Sequence, residues 1–330
     1  MNKPPASSSA RALLQATRPR TFLLAIASII CGNGLALSQL ASSTSISGQN
    51  LVVFALTLWV ALALQILSNL ANDYGDGVKG TDSFRDANSP ERMTAQGLLQ
   101  PSQFKRLIFG WALITFVSGV ALIAIGFDNL RDFLVFLGFG ILAIIAAMAY
   151  TMGKRPYGYR AMGEVAVLIF FGWLAVLGSA YLQTGQFQSS HLLPATGCGG
   201  LAACVLFVNN MRDIYSDKEA GKITLAVLLG SKRMRMGYAL LMLLSILCYL
   251  LYGVVYNSYS LLWLLALPLI VKHLAFIYSA KPIETPGFST VTENSRVDTV
   301  LIGSQLKVIV KLTLIINLLF VLGIGLSHLF

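Results

Sequence analysis

Nine times along this chain of 330 residues an apolar run of about twenty residues ends in polar or charged ones. The runs lie roughly at 22–41, 51–71, 107–127, 133–150, 162–183, 192–209, 236–256, 259–279 and 305–329. A run of that length is what an α-helix needs to cross the hydrocarbon layer of a bilayer. The rest of the composition agrees: 56% of residues are apolar and only 12% are charged, about half the charge that a soluble surface carries. Strand-like alternation is absent. A helix satisfies its own backbone in lipid, whereas an open sheet does not. The chain therefore reads as an all-α polytopic membrane protein with nine transmembrane helices.

Lysine and arginine set the expected orientation. With the N-terminus in the cytoplasm, nearly every cation falls in a cytoplasmic segment, and Arg131 alone lies in an outer loop. A shift of one span would scramble that bias. The net charge of +10 is thus the inside excess of a membrane protein, and nucleic acid is not an expected partner. The reading gives a cytoplasmic segment at 1–21 and one membrane domain at 22–330, in the cell membrane. Loops 72–106, 151–161 and 210–235 would form a functional face toward the cytoplasm. No removable signal peptide is expected before the first run. Cys31, Cys198, Cys204 and Cys248 lie in apolar runs without zinc-ligand spacing, so they read as packing residues.

Two acidic stripes carry the chemistry. Asn69, Asp73 and Asp76 stand at i, i+4 and i+7 where the second run ends, with Asn72 beside them. Asn209, Asp213 and Asp217 stand at i, i+4 and i+8 where the sixth run ends. On helices each set shares a face. Unshielded carboxylates beside a membrane repel one another and lose hydration, and a divalent cation removes both problems. Oxygen donors of this kind suit Mg²⁺, which takes a few carboxylates and keeps other positions for water and phosphate. The cations among them, Arg212, Lys218, Lys222 and Lys154, point to an anionic ligand such as a diphosphate. A diphosphate site opening into an apolar bundle implies a lipid diphosphate. Solvated helix ends are the plainer explanation of a single stripe, but two matching stripes on one side argue against it.

Other segments sit on the same side. Arg18-Pro19-Arg20-Thr21 opens the first run, with the proline suited to a first helical turn. Arg20 reads either as a membrane-edge anchor or as a contact to substrate. The stretch Tyr150-Thr-Met-Gly-Lys154-Arg155-Pro156-Tyr157-Gly158-Tyr159-Arg160 joins three cations to three tyrosines in a tight turn. It reads as an interfacial belt or as a site element whose aromatic faces stabilise a carbocation. Glu164 just inside the fifth run is a functional candidate, unless Lys154 or Arg160 pairs with it.

The longer strings resemble a known family. Asn72-Asp73-Tyr74-Gly75-Asp76, Tyr150-x3-Lys154 and Asp213-x3-Asp217 look like the UbiA superfamily of intramembrane aromatic prenyltransferases. Asn69 to Asp82, Tyr150 to Arg160 and Asn209 to Ala226 resemble its 1,4-dihydroxy-2-naphthoate polyprenyltransferases of menaquinone biosynthesis. The family pattern places an aspartate where this chain has Gly80, with Asp82 two residues later, and Gly-Pro-x-Arg where it has Ser89-Pro90-Glu91-Arg92. The resemblance implies nine helices around a central cavity. It implies Mg²⁺ at Asp73, Asp76, Asp213 and Asp217, with Asn69, Asn72, Asp82 and Asn209 assisting. It implies diphosphate contacts from Lys154, Arg212 and Lys222, extended to Arg20, Lys79 and Arg92, with Tyr150 at the reacting end. The expected partners are a polyprenyl diphosphate, 1,4-dihydroxy-2-naphthoate and membrane lipid. Another aromatic acceptor, a phytyl donor, or a non-catalytic ion carrier with aspartate gates are the alternatives.

Overall fold

The computed structural model describes residues 13–43, 47–80, 100–279, 282–283, 296–297 and 299–329. Among them nine helices are long and apolar enough to cross a bilayer, as the nine runs require. They are α1 (Phe22–Ser43), α2 (Gly48–Val78), α3 (Pro101–Gly126), α4 (Leu130–Ala149), α5 (Gly163–Thr184), α6 (Leu192–Arg212), α7 (Leu225–Val255), α8 (Ser258–Ser279) and α9 (Leu306–Leu326). The chain is a multi-pass membrane protein of all-α class; Pro282–Ile283 and Arg296–Val297 form one two-residue antiparallel pair.

Local chemistry sets the helix ends. Ser47 caps α2 by accepting from the Asn50 amide, and the Asn50 side chain accepts in return from the Ser47 amide. Pro101 opens α3, as its missing N–H permits. Thr224 caps α7, whose first residues stop at Gly230, where φ is +73°.

Three boundaries differ from the sequence reading. α2 runs on through the acidic stripe to Val78 instead of stopping at 71. α7 begins at Leu225 instead of 236. The first membrane helix is preceded by a turn from Leu13 that packs on α2, where Ala16 meets Leu67, Leu70 and Phe104. At the end of α2 and in the turn from Leu13, polar residues that look like loop find partners in other segments, so the chain stays helical.

α6 is the most enclosed of the nine. Its run Gly197-Cys198-Gly199-Gly200-Leu201-Ala202-Ala203 lets neighbouring backbones approach closely, the usual basis of helix packing in lipid. At the crossing with α5 a Cβ on Gly199 would lie 2.8 Å from Gly172 Cα. Cys31, Cys198 and Cys204 are buried in the apolar core and Cys248 is half-buried; all four are free thiols, as packing residues should be. Leu168–Leu177 in α5 winds as a wider π-helix, a form uncommon beyond single turns. Tyr238, His273 and Gln305 link α7, α8 and the start of α9 through a buried chain of hydrogen bonds. α7 and α8 serve as scaffold and contribute no residue to the cavity lining described below.

Candidate active site

The end of α2 is held by two other segments. Asn69 donates from Nδ2 to the Thr17 carbonyl at 2.8 Å and to Thr21 Oγ1 at 3.0 Å, and Gln65 donates to the same hydroxyl at 2.9 Å. These bonds fasten the Arg18–Thr21 turn to α2. They leave Oδ1 as the atom of the Asn69 amide suited to a cation. Asn72 Oδ1 accepts from Thr151 Oγ1 at 3.2 Å, and Asp76 Oδ1 accepts from the Tyr159 hydroxyl at 2.8 Å. Asp73 and Asp76 are buried, each only 2% exposed. Gly75 between them meets Thr151 so closely that a Cβ would lie 2.6 Å from its carbonyl oxygen. The glycine in the motif is therefore a packing requirement.

The end of α6 is built differently. Arg212 forks onto Asp213, with Nε and Nη2 donating to the two carboxylate oxygens at 2.7 Å each, and Nη2 also donates to Asn209 Oδ1 at 2.8 Å. The short helix Ile214–Glu219 carries Asp217, whose amide donates to the Asp213 carbonyl. Gly221 turns the chain at φ +69°, which brings Lys222 back so that its Nζ lies 3.5 Å from Asp217 Oδ1. Asp213, Asp217 and Lys222 are all buried. Glu164 accepts from Asn210 Nδ2 at 2.7 Å, so its partner is an amide on α6 and neither Lys154 nor Arg160.

A backbone bridge joins the segment after α4 to the segment that follows Lys222. Arg160 pairs with Ile223, and the Ala161 amide donates to the Ile223 carbonyl at 2.9 Å. Tyr159 thereby stands beside Lys222. Lys79 Nζ lies 4.6 Å and Lys222 Nζ 5.4 Å from the centre of its ring, within cation–π range. Lys79 also donates to the Thr151 carbonyl at 2.6 Å. Burial lowers the Lys79 ammonium below the usual lysine range; Asp76 opposes that shift and Lys222 adds to it.

Both acidic ends open into one cavity of about 1690 Å³. Asn69, Asn72, Asp76, Asn209, Arg212, Asp213 and Lys222 line its polar end, with Arg18 and Arg20 beside them. Its walls are apolar, with Ile29, Val60, Phe116, Phe136, Phe170 and Leu182 among them. The lining runs on α2 from Asp76 to Thr57, about 28 Å along the helix axis. Tyr150 lines the passage between the two regions. Its ring is clamped by Gly158, Gly163 and the Tyr157 ring 5.3 Å away. Burial above all, with the nearby carboxylates of Glu164 and Asp76, pushes the Tyr150 phenol well up, so it stays protonated. Burial likewise pushes Tyr157 up to about 12.

The remaining sequence candidates divide. Asp73 and Asp217 are buried behind the cavity lining. Lys79 is exposed along most of its length at the end of α2, with its ammonium partly buried against Thr151 and the Tyr159 ring, and does not line the cavity. Lys154 is exposed on the turn after Gly153 (φ +91°) and does not line the cavity. Asp82 and Arg92 lie outside the described residues. Sequence reasoning missed the roles of Thr17, Thr21 and Tyr159, which rest on contacts between distant segments. It also passed over Lys307 and Lys311, which line the cavity from α9. Their spacing of four, continued back to Gly303 and Thr299, was a legible signal.

Among the described residues no three His, Cys, Asp or Glu side chains converge on a single metal position. The donor set is nonetheless all oxygen, buried, and divided between two helix ends that face one cavity. That arrangement fits Mg²⁺ held by one or two carboxylates and completed by phosphate oxygens, and does not fit a cage made by protein alone.

Residues 25–285 match the model of the UbiA prenyltransferase family. The chain is 42% identical to "1,4-dihydroxy-2-naphthoate octaprenyltransferase" of Escherichia coli (strain K12), covering 97% of each chain. It is 40% identical to the protein of the same name from Haemophilus influenzae, covering 94% of each. Among solved structures, a UbiA homolog from Archaeoglobus fulgidus bound to GPP and Mg2+ superposes with a TM-score of 0.61 at 17% identity, over 94% of this chain and 99% of that one. An apo UbiA homolog from Aeropyrum pernix K1 gives 0.61 at 15% identity, over 94% and 98%. These two likenesses show the fold.

Proposed function

The chain belongs to the UbiA prenyltransferase family, and from that membership we propose that it transfers a polyprenyl group from polyprenyl diphosphate to 1,4-dihydroxy-2-naphthoate. It is a prenyl-transferring enzyme. The product is the reduced, quinol form of demethylmenaquinone, formed as the donor's allylic C–O bond breaks, a C–C bond to the ring forms, and diphosphate and CO₂ leave. The observation that carries the reading is the single cavity with two buried acidic helix ends at one end and apolar walls beyond.

Each residue then has a task. Arg212 and Lys222 exchange their carboxylate partners for diphosphate oxygens, and Arg20 and Lys79 stand at the rim. Asp73, Asp76, Asp213 and Asp217, with the amide oxygens of Asn69, Asn72 and Asn209, would hold Mg²⁺. The ion supplies charge neutralisation on the departing diphosphate when bound. The apolar walls take the prenyl chain and exclude water from the reacting carbon. The ring of Tyr150 faces the same passage, where its π-electrons stabilise allylic positive charge. Its protonated phenol is not a base.

The Lys and Arg asymmetry supports a cell-membrane protein with its N-terminus and active site cytoplasmic. The membrane domain at 22–330 acts as one catalytic unit, to which the turn from Leu13 is fastened through Thr17 and Thr21.

The test is a membrane assay with 1,4-dihydroxy-2-naphthoate, a polyprenyl diphosphate and Mg²⁺, read by mass spectrometry, with EDTA as control. A Mg²⁺-dependent prenylated and decarboxylated quinol is expected. Product with 4-hydroxybenzoate or homogentisate in its place would refute the acceptor. Silence with every acceptor from folded protein would refute the enzyme reading.

A further inference from the structure

The cavity holds a second set of cations that the diphosphate site does not use. Thr299, Gly303, Lys307 and Lys311 recur every four residues through the helix Thr299–Ser304 and the start of α9, and all four line the cavity. The stripe starts at the diphosphate end. A Cβ on Gly303 would lie 2.8 Å from Arg212 Cδ, so the stem of Arg212 rests on this helix. Lys307 lies one turn farther along the stripe and Lys311 about 6 Å beyond that.

Lys307 and Lys311 are exposed on α9 while lining the cavity, so their ammonium groups are open to an anion that enters it. The acids in the cavity lining are Asp76, Asp213 and Glu219, and Asp213 is engaged by Arg212. The apolar residues around the stripe, Leu306 and Val310, suit a flat hydrophobic body with one anionic edge. Phosphate of a bilayer lipid is the competing anion, because Val308, between the lysines, is exposed on α9.

Resting on the functional reading above, we propose that Lys307 and Lys311 form the carboxylate site of the aromatic acceptor. They capture the ring acid beside the donor's diphosphate and orient it toward the reacting carbon. The interaction is made with the bound acid and vanishes when the carboxylate leaves as CO₂. It therefore acts on capture of the acceptor, and the neutral product has no hold on the lysines and departs into lipid. These are positioning residues.

Steady-state kinetics of the full chain in nanodiscs test this with Lys307→Gln, Lys311→Gln and the corresponding Arg variants. Each Gln variant should raise the acceptor KM about tenfold, with a smaller effect on kcat and none on the donor KM. Arg should restore most of the loss. A rise in donor KM would move these lysines to the diphosphate and overturn the proposal. No change in either KM would assign them to lipid phosphate and overturn it too. Calorimetric binding of 2-naphthoate separates this proposal from the functional reading, since it needs no turnover. Lysine-dependent binding by a protein inactive with the naphthoate acceptor would keep the site and refute the acceptor. Absent binding, or equal binding by wild type and both Gln variants, would refute the site. Thermal unfolding of each variant shows that the fold is retained.

Discussion

Replacing Gly75 with alanine should remove most activity while sparing the fold. Gly75 sits between Asp73 and Asp76 on α2, against the backbone of Thr151. A Cβ there would lie 2.6 Å from the Thr151 carbonyl oxygen and 2.7 Å from its carbonyl carbon. Relief to ordinary contact needs a displacement of about 0.8 Å, and the opposing atoms are main chain, so helix and turn must part. Such overpacking costs about 1–3 kcal/mol, and alanine's helix preference over glycine offsets about 1 kcal/mol of that. The net loss of stability is thus about 0–2 kcal/mol, within what a folded protein tolerates. The same displacement opens the Thr151 bonds to Ala71 and Lys79 and moves Tyr159 from Asp76. A misplacement near 1 Å at a reacting site costs about 100-fold in rate. The assay is prenyl transfer in membranes at matched protein level, with thermal unfolding in detergent alongside. Gly110→Ala is the control, because a Cβ there meets nothing within 4 Å. Folded Gly75→Ala protein with activity within about threefold of wild type would refute the reasoning.

Four further outcomes are expected. Asp73→Asn and Asp213→Asn should each abolish product while protein still accumulates in membranes, checked by immunoblot and mass spectrometry. Tyr159→Phe keeps the ring beside Lys79 and Lys222 but loses the 2.8 Å bond to Asp76, so the Mg²⁺ concentration for half-maximal rate should rise several-fold in a metal titration. Arg212→Lys keeps the charge and loses the two-pronged geometry, so the donor KM should rise about tenfold or more. Because burial lowers the Lys79 pKa, the alkaline limb of kcat/KM for the donor should fall below the usual lysine range, and Lys79→Arg should move it upward. The sign for stability is the opposite. As pH rises through that window the unfolded chain holds the extra proton, so the folded protein gains stability relative to it, an increment that Lys79→Arg should remove from a pH series of unfolding midpoints.

The spans were legible because lipid leaves no alternative to long apolar helices, and the acidic stripes because carboxylates at a membrane edge demand a reason. The extension of α2 to Val78 was legible only in part: the spacing of Asn69, Asp73 and Asp76 puts them on one helix face, but the apolar run stops at 71, and Thr151 and Tyr159, which meet Asn72 and Asp76, come from a distant segment. The same limit hid Asn210 as the partner of Glu164 and Thr21 as the anchor of Asn69. The tyrosine and cation cluster was visible as a cluster, but its geometry was not. Tyr159 turns toward the site through the backbone bridge to Ile223, whereas Lys154 in the same stretch is exposed on the turn. The Lys307 and Lys311 stripe was readable by spacing, but in the sequence the two lysines count only toward the inside excess of charge.

Charged groups of the site are paired with one another: Arg212 lies on Asp213 and Lys222 beside Asp217, while the Tyr159 hydroxyl donates to Asp76. Binding is thus an exchange of partners. A divalent ion arriving alone must displace cations from the aspartates, and a diphosphate arriving alone must draw cations away and leave carboxylates bare. Arriving together, each releases the groups that the other needs. The two ligands are therefore thermodynamically coupled, each raising the affinity for the other by the same factor.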